Sequence, residues 1–136
     1  DENQAAFQRG WFHTGDIGKM DKNGFMFLLD RKKDMIVSGG ENVYSSEVEA
    51  ALYRHENVHE CAVVGVPDKK FGEALFAAIV PRPGTKLTDS EIIEHCRGLI
   101  GGYKIPRRMV FVEELPKSAM GKILKTEIRK TYGEKT

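Results

Sequence analysis

The 136-residue chain has no apolar run near the roughly 18 residues that a membrane helix needs, so no transmembrane segment is expected. It also lacks an excess of charge of either sign. Twenty-one basic residues face twenty acidic ones, for a formal net charge of +1, and no global field points to nucleic acid or an anionic membrane. Cysteine is scarce: Cys61 and Cys96 sit in apolar stretches without C-x-x-C spacing, which argues against a disulfide framework and for a reduced compartment. The start, DENQAAFQRG, has neither the charged nor the apolar region of a signal peptide. A soluble, cytoplasmic protein with no nucleic-acid partner is the expectation. Internal repeats and low-complexity tracts are absent too. What remains is the size of one ordinary domain, able to bury roughly two thirds of its unfolded surface around a single core. Opening on Asp1 rather than methionine, it reads as an excised piece of something longer.

One motif suggests a metal. His55-Glu56-Asn57-Val58-His59 fits H-E-x-x-H, in which two histidines one helical turn apart bind zinc. That chemistry needs a continuous helix and a third ligand. Val58 to Val66 reads VHECAVVGV, a β-branched stretch typical of a buried strand, and no later His or Glu stands out as a third ligand. HENVH is therefore expected to be a helix-to-strand turn, and no metal site is assigned to this chain.

The remaining pattern alternates. Apolar runs flank Asp21-Lys22-Asn23-Gly24, a hairpin signal at the start of the chain. Asp30 to Asp34 carries five charges in a row and marks a candidate domain boundary. Ser46-Glu47-Val48-Glu49 has the capping-box form and predicts a helix of about ten residues, with Ser46 accepting from the helix amides and Glu49 reaching back. Cys61–Val66 and Ala74–Val80 predict strands that pair antiparallel, and Arg108–Val112 a third. A second capping box, Thr88-Asp89-Ser90-Glu91, opens a helix with Ile92, Ile93, Cys96, Leu99 and Ile100 at helical spacing. A last short helix sets Leu124, Ile128 and Tyr132 on one side. The expected fold class is α+β: a small sandwich with a central three-stranded, mainly antiparallel sheet flanked by about three helices, preceded by an N-terminal β-hairpin.

Four places hold residues that packing does not explain, each with a plainer alternative. Thr14-Gly15-Asp16 sets a carboxylate at a strand start, suited to vicinal hydroxyls such as those of a ribose, or simply forms a turn. The charged junction at Asp30 to Asp34 is otherwise a solvated loop. Ser38-Gly39-Gly40 allows close backbone approach to a ligand, or a sharp bend. Met120-Gly121-Lys122 offers a mobile ammonium to an anion, or a surface lysine. It is not a Walker phosphate loop, because Pro116 replaces the first glycine and Ile123 the metal-binding Ser or Thr.

Taken in order, HTGD, DRKKDMIVSGGENVYSSEVE, AVVGVPD, GEALFAAIV, YKIPR and LPKSAMGKILK resemble, from about residue 10 to about residue 131, the C-terminal portion of the adenylate-forming superfamily. GGENVYSSEVE looks most like the fatty acyl-CoA ligase branch. The resemblance implies residues 1–32 as the tail end of a large N-terminal adenylation domain and residues 33–136 as a mobile C-terminal domain. It implies activation of a carboxylic acid, here a fatty acid, with ATP and magnesium to an acyl adenylate, followed by transfer to CoA. Asp16 would hold the ribose hydroxyls, and Arg31 would assist at the ribose or α-phosphate. Lys33 matches the hinge, Lys122 the adenylation lysine, and Ser38, Gly39 and Gly40 would leave room for the pantetheine arm. Ser45 sits where many relatives have proline and is read as a neutral variation.

The same resemblance assigns the phosphate loop, the magnesium ligand and the acyl pocket to the upstream N-terminal domain, so the chain alone is expected to be inactive. Its hairpin would pack on that domain, or pair with a second copy as a homo-oligomer or swapped dimer. Two rival readings are a domain that loads a carrier-protein thiol and a non-catalytic nucleotide- or carrier-binding module. A basic patch of Lys32, Lys33, Arg107 and Arg108 would suit either CoA phosphates or an acidic carrier.

Overall fold

A computed structural model describes residues 2–134. Helix α1 (Glu2–Ala6) and two very short strands, β1 (Phe7–Gln8) and β2 (Trp11–Phe12), come first. The hairpin expected at the start of the chain follows them as β3 (Asp16–Met20) and β4 (Met26–Arg31). Its turn is held by Asp21, whose carboxylate accepts from the amides of Asn23 (2.8 Å) and Phe25 (3.0 Å), while Gly24 takes φ = 85°, a value only glycine adopts freely.

A 3-10 turn (Lys32–Asp34) leads into β5 (Ile36–Ser38), β6 (Glu41–Val43) and α2 (Ser45–Tyr53). The long strands β7 (Val58–Asp68) and β8 (Gly72–Pro81) pair antiparallel over their whole length. Then come α3 (Asp89–Arg97), a 3-10 turn (Gly102–Lys104), β9 (Arg108–Phe111) and α4 (Lys125–Gly133).

Strand alternation builds the two cores. Cys61 and Val63 of β7, with Leu75, Ala77 and Ile79 of β8, point to the face covered by α2 and α3, against Val48, Leu52, Ile92 and Cys96. Ala62, Val64 and Val66, with Phe76 and Ala78, point to the other face, closed by Leu115 and by Ile128 of α4. Phe76 stacks on Tyr132 of α4 with ring centroids 4.9 Å apart. Both faces are covered, which is why the two strands read as near-continuous apolar runs.

The α+β sandwich with its three flanking helices stands, with differences. The sheet has five strands, not three: β5 and β6 join its edge, and β9 adds to β8 in parallel. The additional two are three residues each, joined by Gly39 and Gly40 at φ = 61° and 83°, and both glycines in the left-handed region make a two-residue hairpin of what reads in sequence as an interruption. The box expected at Ser46 does not form either. Helix α2 starts at Ser45 after Tyr44, which makes no side-chain cap, and Glu49 turns away to accept from the amide of Val63 at 2.9 Å. At Thr88 the box is complete, both reciprocal bonds being present. HENVH is a turn: the His55 amide closes α2 on Leu52, the Val58 amide bonds back to His55, and His59 lies exposed on β7.

Candidate functional site

Glycine at position 15, with φ = 75°, turns the chain so that Asp16 begins β3 directly opposite Arg31, the last residue of β4. The two side chains form an ion pair at 3.2 Å, and the amide of Lys32 bonds the carbonyl of Gly15 at 2.7 Å. Residues fifteen and seventeen positions apart in sequence are thereby fixed at one mouth. The carboxylate of Asp16 is one-quarter exposed and retains oxygen lone pairs for another donor.

Across from this pair lies Lys122. Its loop is not loose: the Ser118 amide bonds the carbonyl of Lys122 (2.8 Å), the Gly121 amide that of Ser118 (2.9 Å), and the Lys122 amide the hydroxyl of Ser118 (3.2 Å). Lys117 and Ile123 bridge in antiparallel fashion, and Lys117 is pinned to Glu60 at 2.6 Å. The backbone at Lys122 is therefore held, and its exposed side chain projects from a fixed loop. Those loop amides bond within the loop and do not form an anion cradle.

Arg31, Lys33 and Lys122 line one cleft of about 490 Å³, together with Asp34, Lys125 and Arg129. Arg129 pairs with the buried carboxylate of Asp34 at 3.2 Å and reaches the carbonyl of Lys33; Lys125 pairs with Glu49 at 2.7 Å. Arg31 is matched by Asp16. Lys33 and Lys122 have no carboxylate within ion-pair distance among the described residues, so the cleft keeps a positive surplus suited to a phosphate or a carboxylate.

Ser38, Gly39 and Gly40 are not part of it. They form the β5–β6 turn, where the Gly39 amide bonds the carbonyl of Phe71 at 2.9 Å. The Phe71 ring carries the guanidinium of Arg107 at 4.6 Å and the ammonium of Lys70 at 5.1 Å. A second opening of about 560 Å³ lies here between Asp68, Lys70 and Arg108. The amides of Phe71 and Lys70 hold the Asp68 carboxyl below the usual carboxylate range, with Arg108 at 3.1 Å adding to it. The expected single basic patch is thus two: Lys32 and Lys33 belong with the first mouth, Arg107 and Arg108 with the second.

Lys125 and Arg129 were not singled out in the sequence, and Asp30 and Asp34 stood out only as the ends of the charged junction. The first two had a signal, since 125 and 129 are four apart, one face of a helix. What Asp34 and Asp30 pair with had no signal, because Arg129 and Ser45 lie on distant segments.

Comparisons with known proteins identify the family and the fold. The family described as AMP-binding enzyme C-terminal domain matches residues 47–122. Long-chain-fatty-acid–CoA ligase FadD13 of Mycobacterium tuberculosis is 46% identical over 127 residues, 93% of this chain and 25% of that protein. Feruloyl-CoA synthase of an Amycolatopsis species is 45% identical over 124 residues, 91% and 25% respectively. The chain thus spans about a quarter of the length of these relatives. Among solved structures, o-succinylbenzoate CoA synthetase from Bacillus subtilis with its acyl-adenylate intermediate superposes with a TM-score of 0.85 (39% identity, 93% of this chain, 26% of that one). ATP-bound MatB from Rhodopseudomonas palustris gives 0.88 (35% identity, 98% and 27%), and apo MatB gives 0.78 (36% identity, 98% and 27%).

Proposed function

The chain belongs to the AMP-binding enzyme C-terminal domain family, and from that premise we propose that it is the C-terminal part of an ATP-dependent, AMP-forming acid–CoA ligase. In this reading residues 1–32 end the large adenylation domain, Lys33 is the hinge, and residues 33–136 form the domain that turns about it. The observation that carries the proposal is the meeting of Arg31, Lys33 and Lys122 on one cationic cleft with Asp16 at its mouth. Support also comes from MatB, whose ATP-bound form matches over 98% of this chain.

The chemistry follows from charge. A carboxylate attacking an α-phosphate brings negative charge to negative charge, and an ammonium between them stabilises the transition state more than the separated reactants. Lys122 takes that role, Asp16 accepts from the ribose hydroxyls with the oxygen that Arg31 leaves free, and Arg31 faces the ribose or α-phosphate. Once the adenylate exists, rotation at Lys33 withdraws Lys122 and brings in the Ser38–Gly40 turn, where missing side chains admit the pantetheine arm of CoA. Lys70, Arg107 and Arg108 then stand close to that turn and suit its phosphates. Magnesium is assigned to the upstream domain. The acid proposed is a long-chain fatty acid, following the FadD13 match, with aromatic acids as the competing outcome of a substrate panel. A cytoplasmic location accords with the two free thiols, Cys61 and Cys96, and with the need for ATP.

Lys122→Ala in the complete ligase tests the assignment. Acid-dependent exchange of pyrophosphate into ATP is expected to fall by about 10²- to 10³-fold, with thioester formation from supplied acyl adenylate largely kept. If both half-reactions stay near wild type, Lys122 is an ordinary surface lysine and the proposed mechanism falls.

A further inference from the structure

A buried polar relay ties the two sides of the cleft together, and it runs through Ser45. Tyr44 gives helix α2 no side-chain cap. The cap comes instead from strand β4: Asp30 Oδ2 accepts from the Ser46 amide (3.3 Å) and from the Ser45 hydroxyl (2.9 Å), and the Ser46 hydroxyl donates to the Leu29 carbonyl. The Ser45 side chain is fully buried, and its oxygen also accepts from Lys125 Nζ at 2.9 Å. Lys125 begins α4 three residues after Lys122, and its second partner is Glu49 at 2.7 Å. One hydroxyl therefore joins the strand that carries Arg31 to the helix that follows Lys122.

Chain order gives this relay a consequence. Asp30 precedes Lys33 and Ser45 follows it, so rotation at Lys33 large enough to carry Lys122 away must separate Asp30 from Ser45 and Ser46. The bonds from Lys125 to Ser45 and Glu49 lie wholly after Lys33 and survive. Only the bonds of Asp30 and Leu29 break, and they leave an α2 amide without its acceptor. Because the hydroxyl is excluded from water, water does not replace the lost partner until the segments have parted.

We propose that Ser45 is a positioning residue for adenylation, the central atom of an Asp30–Ser45–Lys125 latch that holds Lys122 opposite Arg31 and opens when the domain turns. The proposal rests on the ligase reading above and adds to it a residue which that reading does not use.

Ser45→Pro is the incisive variant. Position 45 is the first residue of α2, where the fixed φ of proline suits the helix and its missing amide hydrogen has no intrahelical acceptor, so the helix is retained while the hydroxyl is lost. Asp30→Ala removes the other end, and Ser45→Thr keeps the hydroxyl as the conservative control. In the complete ligase the first two are expected to slow pyrophosphate exchange by about tenfold, the worth of one charge-assisted hydrogen bond, with thioester formation from supplied acyl adenylate unchanged or faster. Ser45→Thr should behave as wild type. Equal losses in both half-reactions, or no loss in either, would overturn the latch. A second readout does not depend on catalysis: trypsin cleavage after Arg31, Lys32 and Lys33 should accelerate several-fold in Ser45→Pro and Asp30→Ala and not in Ser45→Thr. If the unmutated enzyme shows no acid-dependent exchange at all, the ligase reading fails, and the cleavage rates alone decide the latch: acceleration sustains it and unchanged rates remove it.

Discussion

The β3–β4 and β7–β8 hairpins share antiparallel pairing and an aspartate-stapled turn, yet they bury very different amounts of themselves. In β7–β8, Val63 lies opposite Ala77 and Val64 opposite Phe76, and all four are buried. In β3–β4, Met20 lies opposite Met26 and Gly18 opposite Leu28, and the side chains of Met20, Met26 and Leu28 are about two-thirds exposed. Trp11, in β2, is 75% exposed as well. Hydrogen-bonded pairing thus forms a hairpin, but burial on both faces is what makes one part of a core. An exposed apolar face is the kind of surface that calls for a partner, and under the proposed function that partner is the upstream domain.

Truncation in each hairpin separates the two regimes most widely. Ile79→Ala removes a fully buried side chain from the centre of β8 and is expected to lower the unfolding free energy by about 2–5 kcal/mol. Leu28→Ala, on the exposed hairpin, should change it by no more than about 0.5 kcal/mol. Urea titration of this chain measures both, and a Leu28→Ala loss as large as that of Ile79→Ala would show that the exposed face is covered in solution. A smaller effect is expected at Gly65 in β7. A Cβ there would stand 2.8 Å from Glu73 Oε1 and 3.2 Å from Ile36 Cγ2. Glu73 is also the acceptor for the Val37 amide, at 2.8 Å. Its side chain can swing aside only by giving up that bond, so Gly65→Ala should cost about 1–3 kcal/mol. An unchanged midpoint would mean that β5 is held to the sheet without Glu73.

Thiol chemistry draws the same contrast by another route. Burial pushes the Cys61 thiol up to about 12 and the Cys96 thiol above its ordinary value as well. Neither should react with iodoacetamide at about pH 8 while the chain is folded, at a rate at least roughly a thousandfold below that of a cysteine introduced by Leu28→Cys. Equal labelling of all three would show that the core opens without unfolding.

How much of this was legible follows the same division between local and long-range causes. The Thr88 box and the Asn23-Gly24 turn are each determined by residues within a few positions of one another, and β7–β8 by two apolar runs joined by a short turn; the sequence reading holds at all three. Ser46 and Glu49 carry the same letters as a capping box, but Asp30 and Leu29 take the serine and Val63 and Lys125 take the glutamate, all from other segments. Tertiary partners outbid local ones there, and no window of sequence displays them. Ser45 is the sharpest case: read as neutral in the sequence, it proves fully buried and bonded on both sides. Strands β5 and β6 were too short to show a period of two, and the parallel pairing of β9 depends on a crossover that spacing does not specify. Within the candidate site, Asp16, the Asp30–Asp34 junction and Lys122 stood out as residues that packing does not explain, and the roles given to Asp16, Arg31, Lys33 and Lys122 are those that the resemblance implies; the partners of Lys125 and Arg129, Glu49 and Asp34, came only with the fold.

The smallest expected effect lies at the turn end of the buried hairpin, where its chemistry most resembles that of the exposed one. Asp68 Oδ1 accepts from the amides of Lys70 and Phe71, each at 2.9 Å, just as Asp21 accepts from its own turn. The Phe71 amide, then that of Lys70, lowers the folded pKa of Asp68 below the ordinary 3.8. A carboxyl lowered on folding contributes stability that is fully present above its unfolded value and is lost as pH falls through the folded one. Asp68→Asn should therefore cost most above the ordinary carboxylate range and converge on wild type once the pH has fallen through the lowered folded pKa. Lys104 carries the opposite sign: its hydrogen bond to Glu47 raises it above 10.5, so its contribution fades only at alkaline pH and leaves the acid limb to the carboxylates. Urea midpoints of wild type and Asp68→Asn across the acid range separate the two possibilities. Convergence assigns the turn's stability to the ionised carboxylate, whereas a constant offset at every pH would mean that the side chain acts by shape alone and that the two hairpin turns differ in kind.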